Sequence, residues 1–496
     1  MGIALQRSAL EALTAHHPER KLSVNSTEIT RRKQNIYDSV LSMKRKREKE
    51  ISVLGDTVLL SSYRALTRKT EEGVIWTEAL QTALREHMRV VIDPSDEVYL
   101  IDATVCIPSD RHIEAEGATI RLCKNCAVLM LRNEHTKDGT HFPIASDEKD
   151  RNISIHGGRW EESRTKRAGY GASGRYTPFK EGEEKRPFYG VSTCMLFNNM
   201  EGLSLSSLTF SNTAGFAVQI GDVENAVMEQ ISFVSCYADG LHVNGNSRNL
   251  FISDISGEVG DDLVALNAYD WQDSSVNFGE IRNAVCEHLN LSPSSRYKAI
   301  RMEPGVYRYD DGSLADCGIF DTVFRDVQGI RTFKLYLQTP PYLLGETPEW
   351  GKTGSLENLF FEDIAIDLTA PIDNFGPYKA QDSVRGHFAA FELGAQIGFI
   401  SFENIRLTLH SEEWKYSHLV CIGPKSSCVN GKECFDPYLS SHAKSLHFKN
   451  ISVNGEQVDD ILPLIHEIEF CNVNEDGFST AKGTVEKITL DGVTMK

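Results

Sequence analysis

The sequence predicts an all-β solenoid, a parallel β-helix, behind an N-terminal α-helical segment. Three observations carry this. Seven stretches share one plan: NISIHGGRW from Asn152, NAVMEQISF from Asn225, NLFISDISG from Asn249, NLFFEDIAI from Asn358, GFISFENIRL from Gly398, SLHFKNISV from Ser445 and KITLDGVTM from Lys487. Each alternates apolar residues, passes a polar turn residue and resumes a short apolar strand. The clearest period is 24 residues, which separates Asn225 from Asn249 and Ile231 from Ile255. Insertions rich in charge, Gly and Pro interrupt the repeats at residues 161–190, 305–318, 339–354 and 370–387. Strands this short cannot each bury an apolar face, but stacked as coils they share one continuous core. A leucine-rich horseshoe would need an L-x-x-L-x-L pattern that these coils lack, and a sandwich would show hairpin turns without a fixed offset.

The elements follow in order. The start, MGIALQRSALEALTAHHPERK, is broken by Arg7, Glu11, Glu19 and Arg20, so it reads as an amphipathic helix without the apolar core of a secretion signal. The next stretch has helix-forming composition and a basic run, Lys44 to Arg47, read as a solvated face or, more sharply, as an arm for homo-oligomer formation through the N-terminal helices. A further helix from Thr77, with Thr77 at its N-cap and Ala79, Leu80, Ala83 and Leu84 on one face, would cap the solenoid. The expected division is a helical arm and cap over residues 1–75 and a β-helix domain with loop insertions over residues 76–496. In solenoids such insertions gather on one side and wall a cleft.

Bulk numbers narrow the partners. With 70 acidic against 52 basic residues the formal net charge is -18, which speaks against nucleic acid or an anionic membrane as partner. No stretch approaches the roughly 18 apolar residues of a spanning helix. Eleven cysteines lie scattered without the spacing of a disulfide-stapled domain, which together with the missing signal core points to the cytoplasm. Cys123 and Cys126 form a C-x-x-C, but Cys428 and Cys434 are too widely spaced to complete a zinc site, so no metal and no cofactor is expected.

Chemistry concentrates in YADGLHVNGNSRNLFISDISGEVGDDLVALNAYDW, from Tyr237 to Trp271. Asp239 and Asp261 stand 22 residues apart, close to one coil, so in-register stacking at about 4.8 Å between strands sets Asp239 beside Asp261 and Asp262. Asp beside Gly is also ordinary turn chemistry. Three stacked carboxylates repel, which gains folding nothing and suits general acid and base work on a glycosidic bond. Around them, His242 borders the expected cleft, Arg301 and Glu303 stand where a later coil carries its cleft residues, and Tyr269 and Trp271 offer faces for sugar rings.

The pair ADG at Ala238 and GDD at Gly260 resembles the polygalacturonase family, glycoside hydrolase family 28, whose pattern is N-T-D-G followed by G-D-D on neighbouring coils of a right-handed parallel β-helix of the pectin-lyase-like kind. The resemblance extends in style from about Asn152 to the C-terminus and in motif from Tyr237 to Asp270. It implies Asp261 as general acid, Asp239 and Asp262 positioning and deprotonating the attacking water, and inversion at the anomeric carbon. Tyr237 and Ala238 stand in place of the family's Asn-Thr, its G-H-G motif has no counterpart, and its R-I-K subsite corresponds either to IRMEP with Arg301 or to TFKLYLQT with Lys334. The expected function is therefore an inverting glycosidase acting on oligosaccharides, uronate-containing ones among them. The rivals are a polysaccharide lyase or epimerase on the same fold, and a non-catalytic carbohydrate-binding β-helix.

Overall fold

The computed structural model describes residues 26–53, 55–136, 148–163, 169–171, 175–177, 193–270, 275–308, 311–336, 354–368, 389–409, 418–423, 426–429, 432–435, 441–474 and 477–496. The chain divides into two compact units, residues 38–296 and residues 1–37 with 297–496. Each is a run of parallel β-helix.

In the unit of residues 38–296, the strands Asp150–His156, Thr193–Ser206, Phe216–Val234, Ser247–Gly257 and Ile281–Leu291 pair in parallel, each with the next. Their inward positions stack in columns. Ile155, Leu205, Met228, Ile252 and Cys286 follow one another in register, and every one is fully buried. Ile231 faces Ile255, the pair that set the 24-residue period.

The corners of the coils explain the recurring asparagines. Asn152, Asn225, Asn249 and Asn283 all have φ between 52° and 64°, the left-handed region that Asn tolerates better than other residues with a Cβ. Bending there lets each amide reach the coil before it: Asn249 donates to Asn225 at 2.9 Å and Asn283 to Asn249 at 2.7 Å. In the other unit Asn358 donates to Asp321 and Asn404 to Asp363, both at 2.7 Å.

That second unit is built likewise from Ile319–Ile330, Ser355–Asp367, Gln396–Thr408 and Ser441–Val453. Its core is aromatic. Phe324, Phe361, Phe402 and Phe448 occupy successive coils in register, with ring centroids 5.6, 5.5 and 4.9 Å apart and planes within 13° of parallel.

The N-terminal region departs from the expected arm. One helix, Ser26–Ser52, docks along coils. Its residues 26–37 serve the second unit, where Lys33 pairs with Glu362 and Glu403 and Arg325 lies over Tyr37. Its residues 38–52 serve the first, where Lys44 pairs with Glu229 and Arg47, 2% exposed, donates to Asn152 at 2.5 Å. The basic run is thus not simply a solvated face, because these two cations turn toward coil carboxylate and amide groups. The arm also ends sooner than residue 75: Thr57–Leu59 is already a strand, in parallel pairing with Arg89–Val91. The helix from Thr77 forms over Thr77–Glu86 and buries Ala79, Leu80, Ala83 and Leu84. Trp76 rather than Thr77 is its N-cap, since the Thr77 hydroxyl is bonded to Asp102. Cys123 and Cys126 pack with Ile75 and Leu100, and burial pushes the Cys123 thiol up to about 11. Among the described residues no helix is long and apolar enough to cross a membrane. Of the insertions, residues 305–318 contribute the hairpin of Gly305–Arg308 and Leu314–Cys317, and the other three fall largely outside the described residues.

Candidate active site

Two short strands, Leu241–Asn244 and Val264–Asn267, lie side by side with Leu241 opposite Val264. The coil here is 23 residues long, so Asp239 stands level with Asp262, and Asp261 is the residue just before that position. The turns that precede the strands are tied together: Gly240 N–H donates to the Asp262 carbonyl at 3.0 Å, and Asp262 N–H donates to Asp239 Oδ1 at 3.1 Å. Gly260 is required by this closeness, since a Cβ there would stand 1.9 Å from the Tyr237 carbonyl oxygen.

The result is that one carboxylate oxygen from each of Asp239, Asp261 and Asp262 lies within 4.8 Å of the others. Asp239 and Asp262 are 4% and 1% exposed. Asp261 is only half-buried, so it is the member of the trio that meets solvent.

His242 supplies the opposing charge. Its Nδ1 is 2.6 Å from Asp239 Oδ2 and its Nε2 is 2.8 Å from Asp270 Oδ2. A carboxylate oxygen can only accept, so both ring nitrogens must carry protons and the ring is an imidazolium. Burial alone would push its pKa down, but the bonds to Asp239 and Asp270 and their charges outweigh it and hold the group up to about 10. The ring stacks on Phe216, centroids 4.0 Å apart. Three acceptor oxygens so close are also what a divalent cation takes. The resident imidazolium beside Asp239 opposes a second cation there.

Since the folded-state pKa lies above the 6.5 of free imidazole, the stabilisation from this ion triad is complete below about 6.5 and is lost as pH climbs through about 10. The thermal midpoint should therefore fall across that window, and His242→Gln should flatten the fall. Parallel profiles for wild type and variant would contradict the assignment.

Asp270 was not among the residues that the sequence singled out. Its signal was available, an acidic residue just past the strand after the GDD turn, but its partnership with His242 bridges 28 residues and follows no coil period. Tyr269, expected as a sugar platform, is instead buried with its ring 5.1 Å from Phe278. Trp271 lies outside the described residues.

Arg301, Glu303 and Lys334 belong to the other unit. There Ala299–Glu303 pairs in parallel with Thr332–Tyr336 and sets Arg301 level with Lys334, so the two alternatives for one subsite cation are neighbours on consecutive coils. Arg301 reaches Glu303 at 3.5 Å, and both Arg301 and Lys334 meet Tyr297, the first at its hydroxyl and the second over its ring at 4.2 Å. All are buried.

No family model matches the chain, and no curated protein matches it. Among solved structures it is similar to a family 28 exopolygalacturonase of Yersinia enterocolitica, at 12% identity over 81% of this chain and 76% of that one, TM-score 0.44. It is similar to a hyperthermoactive exopolygalacturonase from Thermotoga maritima, at 12% identity over 84% and 97%, TM-score 0.41. It is similar to PfbA, a surface adhesin of Streptococcus pneumoniae, at 10% identity over 86% and 98%, TM-score 0.39. The likeness is one of fold.

Proposed function

We propose that this chain is a glycoside hydrolase acting on oligosaccharides, with Asp261 as its general acid. The observation that carries the reading is the gathering of three carboxylates within 4.8 Å, of which Asp261 alone is partly open to solvent. Cleaving a glycosidic bond takes a carboxylic acid to protonate the leaving oxygen and a carboxylate to work on the anomeric carbon or its water. Asp262 and Asp239 are assigned to the water, with Asp239 also a positioning residue: one of its oxygens is held by His242 and the other holds the Asp262 amide.

Spacing favours a second reading of the stereochemistry. The closest oxygens are nearer than the roughly 6.5–9.5 Å of a two-carboxylate inverting pair and closer to the roughly 5–5.5 Å of a retaining one. A third carboxylate offers a way round, because two can hold water on one side while the third protonates. We therefore keep inversion as the primary assignment and retention as its rival. Incubation with neutral and uronate-containing oligosaccharides, reading products by mass and the first-formed anomer by proton NMR, decides both points. Hydrolysis with inversion is expected; an unsaturated product would turn the reading to a lyase, and binding without product to a carbohydrate-binding protein.

A further inference from the structure

We propose that residues 275–279 form a wall that closes the sugar-binding face on one side of the aspartates and confines the enzyme to cleavage near a chain end. The inference deepens the hydrolase reading and rests on it. The outward face beside the trio can be followed by register: Leu196 stands level with Gln219, Gln219 with His242, and His242 with Ala265. A bound chain running along the coils past His242 toward earlier strands would have to lie over Gln219 and Leu196. That path is occupied. Val276 packs on Leu196 and Leu129 as one apolar cluster, with its side chain 5% exposed and the two leucines 2% exposed or less. Its N–H donates to Asn244 Oδ1, the atom that also accepts from Gln219 Nε2 at 2.8 Å. The segment thereby takes up Asn244 Oδ1, an acceptor beside His242.

The underlying coils are shaped for this segment. A Cβ at Gly221 would stand 2.7 Å from Val276, and one at Gly245, a coil later, 2.3 Å from the Gly279 backbone. Both glycines leave room for a backbone lying flat on the sheet. All five residues of the segment are themselves buried. Its origin is visible in the register: Leu250 pairs with Ala284 across 34 residues where the preceding coil, Ala226 to Leu250, takes 24. The segment 275–279 belongs to the part of the chain that makes this coil ten residues longer. A plug over Gln219 and Leu196, one and two coils before His242, stops a sugar chain within about one or two coil spacings of 4.8 Å from that coil, so a long polymer can enter only by its end.

The test uses the full chain with end-labelled oligosaccharides of increasing length, from the class that the hydrolase assay identifies, and reads the product lengths. One short product of constant size at every substrate length is expected. Products of mixed length from the outset would overturn the wall and leave the hydrolase reading in place. No cleavage of any glycan would overturn the hydrolase reading, and the wall with it. Val276→Asp, which places a charge in the apolar contact, should raise the share of longer products about tenfold in a protein that still folds by circular dichroism; Val276→Ser serves where the aspartate does not fold. An unchanged product pattern in a folded variant of either kind would overturn the role of residues 275–279.

Discussion

Replacing Asp261 by Asn is expected to lower kcat/KM on the cleaved oligosaccharide by about 10³-fold, within the 10²–10⁴ that a positioned general acid contributes. The thermal midpoint should stay within about 2 °C of wild type, because the side chain is half-buried and the substitution keeps its shape. An amide cannot deliver the proton to the leaving oxygen, yet it fills the same space. Asp262→Asn is expected to cost as much activity but more stability, since Asp262 is 1% exposed within the bonded pair of turns. The split between these two variants is the informative quantity. Full activity in Asp261→Asn, measured on the same substrate, would remove Asp261 from the chemistry.

Phe361→Ala is expected to destabilise its unit by about 3–5 kcal/mol, the usual consequence of emptying an aromatic site in a packed core. Phe361 is 1% exposed and touches four other rings: Phe324 and Phe402 stacked at 5.6 and 5.5 Å, and Phe333 and Phe391 edge-on at 4.9 and 5.0 Å. Truncation removes the apolar burial and four ring contacts at once, and the neighbours on the coils above and below are held in register by backbone ladders, so they cannot collapse into the space. Phe361→Leu should recover most of the loss. Urea titration followed by fluorescence and circular dichroism measures it; a loss below about 1 kcal/mol for the alanine variant would show that the ring column is not what supports this core.

How much of this was legible beforehand can be judged residue by residue. The solenoid was, because a stacked coil can share its core only if apolar positions recur at the coil length, and Ile231 does face Ile255. The asparagines that open four of the repeats were visible in the sequence; that they bend through the left-handed region and bond from coil to coil appears only in three dimensions. The gathering of the aspartates was legible, because a spacing of 22 residues, close to one coil, sets Asp239 beside the pair Asp261 and Asp262. Which of the pair stands level with Asp239 is decided by the register, which makes it Asp262.

The sequence by itself determined the architecture and the place where carboxylates converge, because both follow from periods written in the chain. Only the tertiary structure decided the rest: that His242 joins Asp239 to Asp270, that the helix Ser26–Ser52 sends Lys44 and Arg47 to the coils, and that residues 275–279 lie across the face beside the site. Those contacts join residues whose separations follow no coil length. Such a separation has no period, so the position at which the chain lands is set by which buried surface it can cover and which polar groups it can satisfy there.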